Sequence, residues 1–168
     1  MRKVWFLADT HFGHKDTILN WRPQFSSTEE MCKVIVDNVC RVVKPTDTLY
    51  LAGDIVISQV GMQYLERLPG YKILVPGNHD GERGIKLADY PVHKILVAAS
   101  VTVNKIPFVV THIPVHTSEV EDRWKGNIHG HLHDKIIDDS RYVNVSCEQT
   151  GYAPVDKDYI NEQYSLIR

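Results

Sequence analysis

The sequence predicts an α/β fold built on β-sheets, and two observations lead to this prediction. Short apolar runs rich in Val, Ile, Leu and aromatic residues recur along the chain, each bounded by Gly, Pro, Asn or Asp, as buried strands are. Helical periodicity separates these runs mainly in the first half of the chain. This order predicts a layered α/β domain with parallel crossovers early and antiparallel pairing late.

Several segments have the composition and length of buried strands, and they lie at residues 3–8, 48–52, 71–75, 93–98, 108–111, 127–131 and 142–145. The region from 94 to 111 shows no helical periodicity and is expected to contain consecutive strands, with a turn near residues 103–105. No internal repeat or linker interrupts the series, so a single domain is expected over residues 1–168.

Helices are predicted at three places. The clearest covers residues 27–43, where a Ser-Thr pair can cap the helix, two glutamates suit its positive N-terminal end, and apolar residues recur on one face. A second helix is predicted at residues 60–67, and a short one is predicted after Asp156.

Composition and charge argue against several classes of protein. The 168 residues carry 19 Lys and Arg against 21 Asp and Glu, and this net charge of −2 argues against a stable nucleic-acid complex. No apolar run is long enough for a membrane span, and the run near the N-terminus is too short for a signal peptide. Three cysteines without a C-x-x-C pair support neither a disulfide framework nor a cysteine zinc site. We therefore expect a cytoplasmic protein.

The nine histidines stand out, because neutral imidazole is the commonest metal ligand in proteins. Residues that could bind a metal follow five of the predicted strands, and they are Asp9, His11, Asp54, Asn78, His112, His131 and His133. Ligand sites of open α/β sheets form outside the carboxyl ends of the strands, so these side chains are expected to converge on one pocket. Seven mixed oxygen and nitrogen ligands exceed the needs of one tetrahedral ion, which favours a binuclear centre with a bridging carboxylate.

Spacing at the strand ends adds to this prediction. Asp9 and His11 are two residues apart, as are His131 and His133. Because side chains alternate along an extended chain, each pair is expected to share one face. A glycine directly precedes three of the ligands and allows the backbone to turn and approach closely.

Five short motifs occur once each and in order between residues 9 and 133: D-x-H, G-D, G-N-H, T-H-x-P and G-H-x-H. With these motifs the chain resembles the calcineurin-like metallophosphoesterases. The segment at residues 9–25 and two stretches at residues 144–146 and 152–154 are also similar to a subgroup of small bacterial and bacteriophage phosphoesterases. The resemblance implies a two-sheet β-sandwich flanked by helices, with mixed parallel and antiparallel strands.

The resemblance also implies a role for each ligand. One metal would be held by Asp9, His11 and His133, the other by Asn78, His112 and His131, and both by a bridging Asp54. His79 would act near the leaving-group oxygen as a general acid or charge stabiliser. Two divalent transition metal ions, with manganese favoured and iron, zinc or nickel as alternatives, would activate a bridging water as hydroxide and neutralise phosphoryl oxygens.

Arg and Lys are the usual ligands of phosphate, and the candidates among them are Arg22, Arg83 and Arg123. His14 and His116 are further candidates for binding substrate in the pocket. After the G-D motif, residues 55–58 lack the further Asp and Arg that Ser/Thr protein phosphatases of the superfamily carry. A protein phosphatase is therefore not expected. The same departure means that His79 needs another orienting partner, such as a backbone carbonyl.

The expected function is metal-dependent hydrolysis of a small phosphate ester, with phosphodiesters of the nucleotide or cyclic-nucleotide type favoured. A phosphomonoesterase is the alternative among enzymes, and a binding module that kept the fold is the alternative outside them. Such modules typically lose ligands, whereas all seven are present here, which favours an enzyme. Trp21 and Trp124 could stack on a base, but a place in an apolar lid or core is the more usual role of an aromatic residue.

Overall fold

Two β-sheets form the centre of the protein in the computed structural model, which describes residues 2–166. The strands of this part of the chain are β1 (Val4–Leu7), β2 (Thr48–Leu51), β3 (Tyr71–Leu74), β4 (Lys94–Ile95), β5 (Ala99–Val103), β6 (Ile106–Val110), β7 (Gly126–His129), β8 (Tyr142–Asn144) and β9 (Val155–Asp156). The α-helices are α1 (Lys15–Asn20), α2 (Thr28–Val42), α3 (Met62–Arg67), α4 (Cys147–Thr150) and α5 (Lys157–Ser165). Short 3-10 helices lie at Gln59–Gly61, Leu87–Asp89 and Thr117–Val120.

The strand order of the first sheet is β4-β3-β2-β1-β9, in which β9 is antiparallel to β1 and the other neighbours are parallel. The order of the second sheet is β5-β6-β7-β8, in which only β5 and β6 are antiparallel. The expected pair of mixed sheets is therefore confirmed. The expectation that the late strands pair antiparallel is wrong for β7 and β8, because the loops at residues 111–125 and 130–141 are long enough to act as crossovers.

The apolar run predicted as one strand at residues 93–98 serves both sheets. Its first part is β4, and the chain then crosses to the second sheet, where β5 begins at Ala99. Val97, at the crossing, is 96% exposed. The expected turn follows β5, where Asn104 and Lys105 have φ angles of 45° and 69°, as a tight hairpin to β6 requires.

The three predicted helices are confirmed as α2, α3 with the 3-10 turn before it, and α5. Ser27 caps α2 by accepting a hydrogen bond from the Glu30 N–H at 3.1 Å. Sequence patterns did not predict α1, α4 or β9. None of the helices in residues 2–166 is long and apolar enough to cross a membrane.

Side chains of β1 point alternately into two cores. Trp5 and Leu7 pack with Ile35 and the rest of the apolar face of α2. Phe6 packs between the two sheets with Phe108 of β6 and apolar residues of α5. The layers are therefore, in order, the helices α2 and α3, the first sheet and the second sheet. Helix α5 packs against β5, β8 and β9.

The two sheets meet where β1 and β8 end. Ala8 forms an isolated parallel bridge with Ser146, its N–H donates to Val145 O at 3.0 Å, and its own carbonyl accepts from the Cys147 N–H at 3.1 Å. Strands β1, β2 and β3 run parallel to one another, as do β6, β7 and β8. The carboxyl ends of all these strands consequently lie at the same end of the molecule.

We expect Ile35→Ala to lower the free energy of unfolding by about 2–5 kcal/mol, because Ile35 is fully buried and its truncation leaves a cavity between α2 and the first sheet. Lys33, exposed on the same helix, provides the control, and Lys33→Ala should change this free energy by less than about 0.5 kcal/mol. Urea unfolding followed by far-UV circular dichroism measures both. Equal effects of the two substitutions would contradict this packing of α2.

Candidate metal centre

Seven side chains meet at the junction of the two sheets, carried by the loops that follow five strands. They are Asp9 and His11 after β1, Asp54 after β2, Asn78 after β3, His112 after β6, and His131 and His133 after β7. The expected convergence at the carboxyl ends of the strands is thus what the fold produces.

Six of these side chains form two clusters, and within each the ligand atoms lie within 4.8 Å of one another. The first cluster is Asp9, His11 and His133, and the second is Asp54, His112 and His131. Asp54 lies between them, because its Oδ2 is 3.3 Å from His112 Nε2 and 3.9 Å from His11 Nε2. Asn78 adjoins the second cluster, with its Oδ1 3.1 Å from His112 Nε2.

The backbone is left-handed at five of the seven ligands. Asp9, His11, Asp54, His131 and His133 all have positive φ angles, between 50° and 71°, in a region that residues other than glycine rarely adopt. Asp9 and His11 are therefore not brought together by the alternation of side chains along an extended chain, and that reason is wrong. His131 and His133, which the same reason placed on one face, belong to different clusters. Such conformations cost of order 1–3 kcal/mol each and are concentrated at functional sites.

Two buried atoms of the first cluster indicate that these residues fit a cation. Asp9 and His11 are 0% and 1% exposed, and Asp9 Oδ1 and His11 Nε2 have no hydrogen-bond partner within residues 2–166. Buried polar atoms are nearly always paired, since an unpaired one costs about 1–3 kcal/mol. His11 Nε2 and His133 Nε2 each lie 3.9 Å from Asp9 Oδ1, so one divalent ion among them would supply the missing partner.

Burial and charge act differently on the two carboxylates. Burial raises the pKa of Asp9 to about 6, although the positive charges of His112 and His133 oppose this effect. Burial would also raise the pKa of Asp54, but the hydrogen bond and the charge of His112 bring it to about 2. Asp54 is therefore an ionised carboxylate placed between the two clusters.

His112 is oriented by the backbone after β2. Its Nδ1 lies 2.9 Å from Ala52 O, so Nδ1 carries the proton and donates it, which leaves Nε2 for a metal. Gly53 permits this approach, because its φ is 86° and a Cβ there would meet the His112 ring.

A buried ion pair between Arg22 and Glu148 supports the first cluster. Glu148 Oε1 lies 2.9 Å from His133 Nδ1 and accepts from Arg22 Nε at 2.8 Å. Arg22 also donates to the carbonyl oxygens of Asp9 at 2.5 Å and Thr10 at 3.2 Å. One network thus holds the loops after β1 and β7. A carboxylate that accepts from a ligand histidine also determines which ring nitrogen faces the metal.

This network corrects the expectation that Arg22 binds substrate phosphate. The Arg22 side chain has no exposed surface, and its guanidinium is engaged by Glu148 and by backbone carbonyls, so this arrangement offers a substrate no access to it. Sequence reasoning missed Glu148, because a single Glu 15 residues beyond His133 carries no spacing signal.

His79 lies at the rim of the centre. Its backbone N–H donates to Asp54 Oδ1 at 2.9 Å, and its imidazole is 43% exposed. Its Nδ1 lies 3.3 Å from Glu82 Oε2. The orienting partner suggested as a backbone carbonyl is therefore wrong, and the carboxylate of Glu82 takes that place.

Asp80, to which sequence analysis gave no role, joins the loops after β2 and β3. Its carboxylate accepts from the Ile55 N–H at 3.0 Å and from the Gly77 N–H at 2.9 Å. The hydroxyl of Tyr90 also donates to it at 3.3 Å. Asp80 thus holds the loops of Asp54 and Asn78 against each other.

The other candidate substrate ligands lie in different surroundings. His14 is next to the first cluster, with its Nδ1 3.1 Å from His11 Nδ1. Burial and the charge of the exposed Arg83 lower the pKa of His14. His116 caps a 3-10 helix by accepting from the Ser118 N–H at 3.3 Å. Contact of His14, Arg83 or His116 with substrate stays a prediction.

Two features flank the centre. The indole of Trp21 stacks on His133, with ring centroids 5.5 Å apart and an interplanar angle of 20°. On the other side lies an open cleft of about 350 Å³. The cleft is lined by Pro76, Asn78, Val97, Thr111, His112 and Ile113.

The chain is similar in sequence and in fold to known proteins. The sequence pattern of the calcineurin-like phosphoesterases matches residues 2–149. The uncharacterized protein MJ1445 of Methanocaldococcus jannaschii is 32% identical over 174 residues, which cover 95% of this chain and 90% of that one. The gene 66 protein of Mycobacterium phage L5 is 27% identical, over 82% of this chain and 80% of that one. A crystal structure of AQ665 from Aquifex aeolicus, a protein of unknown function, has a TM-score of 0.79 at 26% identity and covers 96% of this chain and 99% of its own.

We expect Glu148→Gln to weaken Mn²⁺ binding at the first cluster by about 10–100-fold, because Gln removes the charge that holds His133 and Arg22. Isothermal titration calorimetry of the metal-free protein measures this affinity. Glu162→Gln, the same change at an exposed position of α5, should leave it unaltered. Wild-type affinity in a folded Glu148→Gln variant would rule out this support.

Proposed function

Because this chain belongs to the calcineurin-like phosphoesterase family, we propose that it hydrolyses phosphodiesters with the help of two divalent metal ions. The observation that carries this proposal is the pair of adjacent ligand clusters with Asp54 between them. A single ion would need only one cluster. Two neighbouring ions suit phosphoester hydrolysis, since together they can stabilise both the attacking and the leaving oxygen.

We assign one ion to Asp9, His11 and His133, the other to Asn78, His112 and His131, and both to Asp54. The ions, for which manganese is favoured, would supply an activated water and positive charge for the phosphoryl oxygens. Because water is the attacking group, the chain needs no nucleophilic side chain. Its own residues hold the ligands in place, as Glu148 does for His133 and Ala52 O does for His112.

We assign to His79 the protonation of the leaving oxygen. Its imidazole is partly exposed at the rim, and its backbone is held by the hydrogen bond to Asp54. Glu82 beside Nδ1 restricts the orientation of the ring and leaves Nε2 to act on a substrate.

Charge and space favour a diester over a monoester. A monoester dianion is usually bound by Arg, and because the Arg22 guanidinium is buried in an ion pair, Arg83 and Arg123 are the arginines left among the candidate substrate ligands. The cleft beside Asn78 and His112 offers room for a second substituent. A diester, with one negative charge and two substituents, suits this arrangement better.

Metal-stripped protein reloaded with Mn²⁺ should hydrolyse bis(p-nitrophenyl) phosphate with a higher kcat/KM than p-nitrophenyl phosphate, and a 2′,3′-cyclic nucleotide extends the series. Release of p-nitrophenolate is followed by absorbance, and nucleotide products are followed by chromatography. A preference for the monoester would make the protein a phosphomonoesterase. Absence of any turnover in protein shown to bind two metal ions would instead favour a binding module.

Loss of activity in Asp54→Ala but not in Asp9→Ala or His133→Ala would contradict the paired assignment of ligands.

His79→Asn should lower kcat by about 10²–10⁴-fold while metal stoichiometry stays unchanged, because the substitution removes a proton donor and no assigned ligand. The loss should be larger for an alkyl ester than for a p-nitrophenyl ester, whose leaving group needs less protonation. His93→Asn is the matched control, since His93 precedes β4 at the opposite end of the first sheet. An equal loss with both leaving groups would exclude the acid role.

A further inference from the structure

Trp21 carries an aromatic surface at the edge of the metal centre that the proposed chemistry does not use. Its indole stacks on the ring of His133 at a centroid distance of 5.5 Å. The residue is nevertheless 53% exposed, so much of the indole faces solvent. Leu19, two residues earlier near the end of α1, is 80% exposed.

The backbone that carries this indole is held on both sides. The N–H groups of Trp21 and Arg22 both donate to Thr17 O at 3.0 Å, and Thr17 is itself buried. Arg22, the next residue, is locked by its bonds to Glu148 and to the carbonyl of Asp9. The indole therefore stands on a fixed segment directly beside the first ligand cluster.

Packing against His133 explains only part of this placement. One face of the indole is enough to shield a ligand histidine. Burial of apolar surface stabilises a protein by about 25 cal/mol per Å², so a Trp that served only packing would be expected to bury more of its surface. An aromatic surface that is rigid and open beside a phosphate-binding centre has the properties of a platform for a planar ring.

We propose that Trp21 is a specificity residue that stacks on the base of a nucleoside phosphodiester. This inference rests on the proposed function, because the phosphate must be bound at the metal centre that includes His133. A base and its phosphate are separated by one ribose, and the indole and the centre are neighbours across the His133 ring. Of the two substituents of the phosphodiester, the one that extends from His133 toward Trp21 would thus be the nucleoside. The cleft at Asn78 would bind the other substituent.

The test compares the binding of AMP and ribose 5-phosphate, which carry the same phosphate with and without a base, to the Mn²⁺-loaded protein. Isothermal titration calorimetry should show about tenfold tighter binding of AMP, as expected from stacking of one base. Trp21→Leu should reduce this ratio toward one and leave the affinity for ribose 5-phosphate and the metal content unchanged. Trp21→Phe should retain part of the ratio. Trp124→Leu, at a Trp that packs near Ser100 and Arg123, should retain it fully.

Three results would overturn the inference. The first is equal or undetectable binding of AMP and ribose 5-phosphate to the wild-type protein. The second is an affinity ratio of AMP to ribose 5-phosphate that stays the same in Trp21→Leu. The third is an equal loss of affinity for both ligands in that variant, which would make Trp21 only a shield for His133. If instead the ratio depends on Trp21 but no diester is hydrolysed, base recognition stands and the proposed function fails.

Discussion

The burial of two neighbouring carboxylates is the constraint on which the rest of the structure depends. Asp9 and Asp54 are 0% and 2% exposed, and removing such charges from water costs several kcal/mol per ion unless new partners replace the water. Backbone amides supply part of this compensation, since the N–H of His131 donates to Asp9 Oδ2 at 3.0 Å and that of His79 to Asp54 Oδ1 at 2.9 Å. The loops after β3 and β7 thus contribute donors from the backbone as well as ligand side chains.

Close contact between the two sheets makes this compensation possible. Ser146 Oγ donates to Asp9 Oδ2 at 2.8 Å, and the same residue pairs with Ala8 to join the sheets. Gly130 leaves the space for this oxygen, since a Cβ there would meet it. The junction of the sheets and the environment of the Asp9 carboxylate therefore depend on the same residues, which couples the fold to the metal centre.

Trp21 and Arg22 show how far neighbouring residues can differ in environment. The Arg22 side chain is fully buried and balances the charge of Glu148, whereas the indole of Trp21 remains largely in solvent. The division arises at the end of α1, where the chain turns inward beneath the loop of Asp9 and Thr10. The buried residue supports the metal ligands, and the exposed one stacks on a residue of the first ligand cluster, His133.

Local patterns in the sequence were sufficient to predict most of the fold and the seven candidate ligands, because apolar runs define buried strands and motifs such as G-D and G-H-x-H directly follow them. Contacts between distant segments were decided only by the tertiary structure. It divided the run at residues 93–98 between two sheets, brought Glu148 to His133, and buried Arg22. It also gave five of the ligands left-handed backbone conformations, where an extended chain was expected. The burial and the pairing of a side chain depend on which segments pack together, and a local pattern of residues does not determine which distant segments these are.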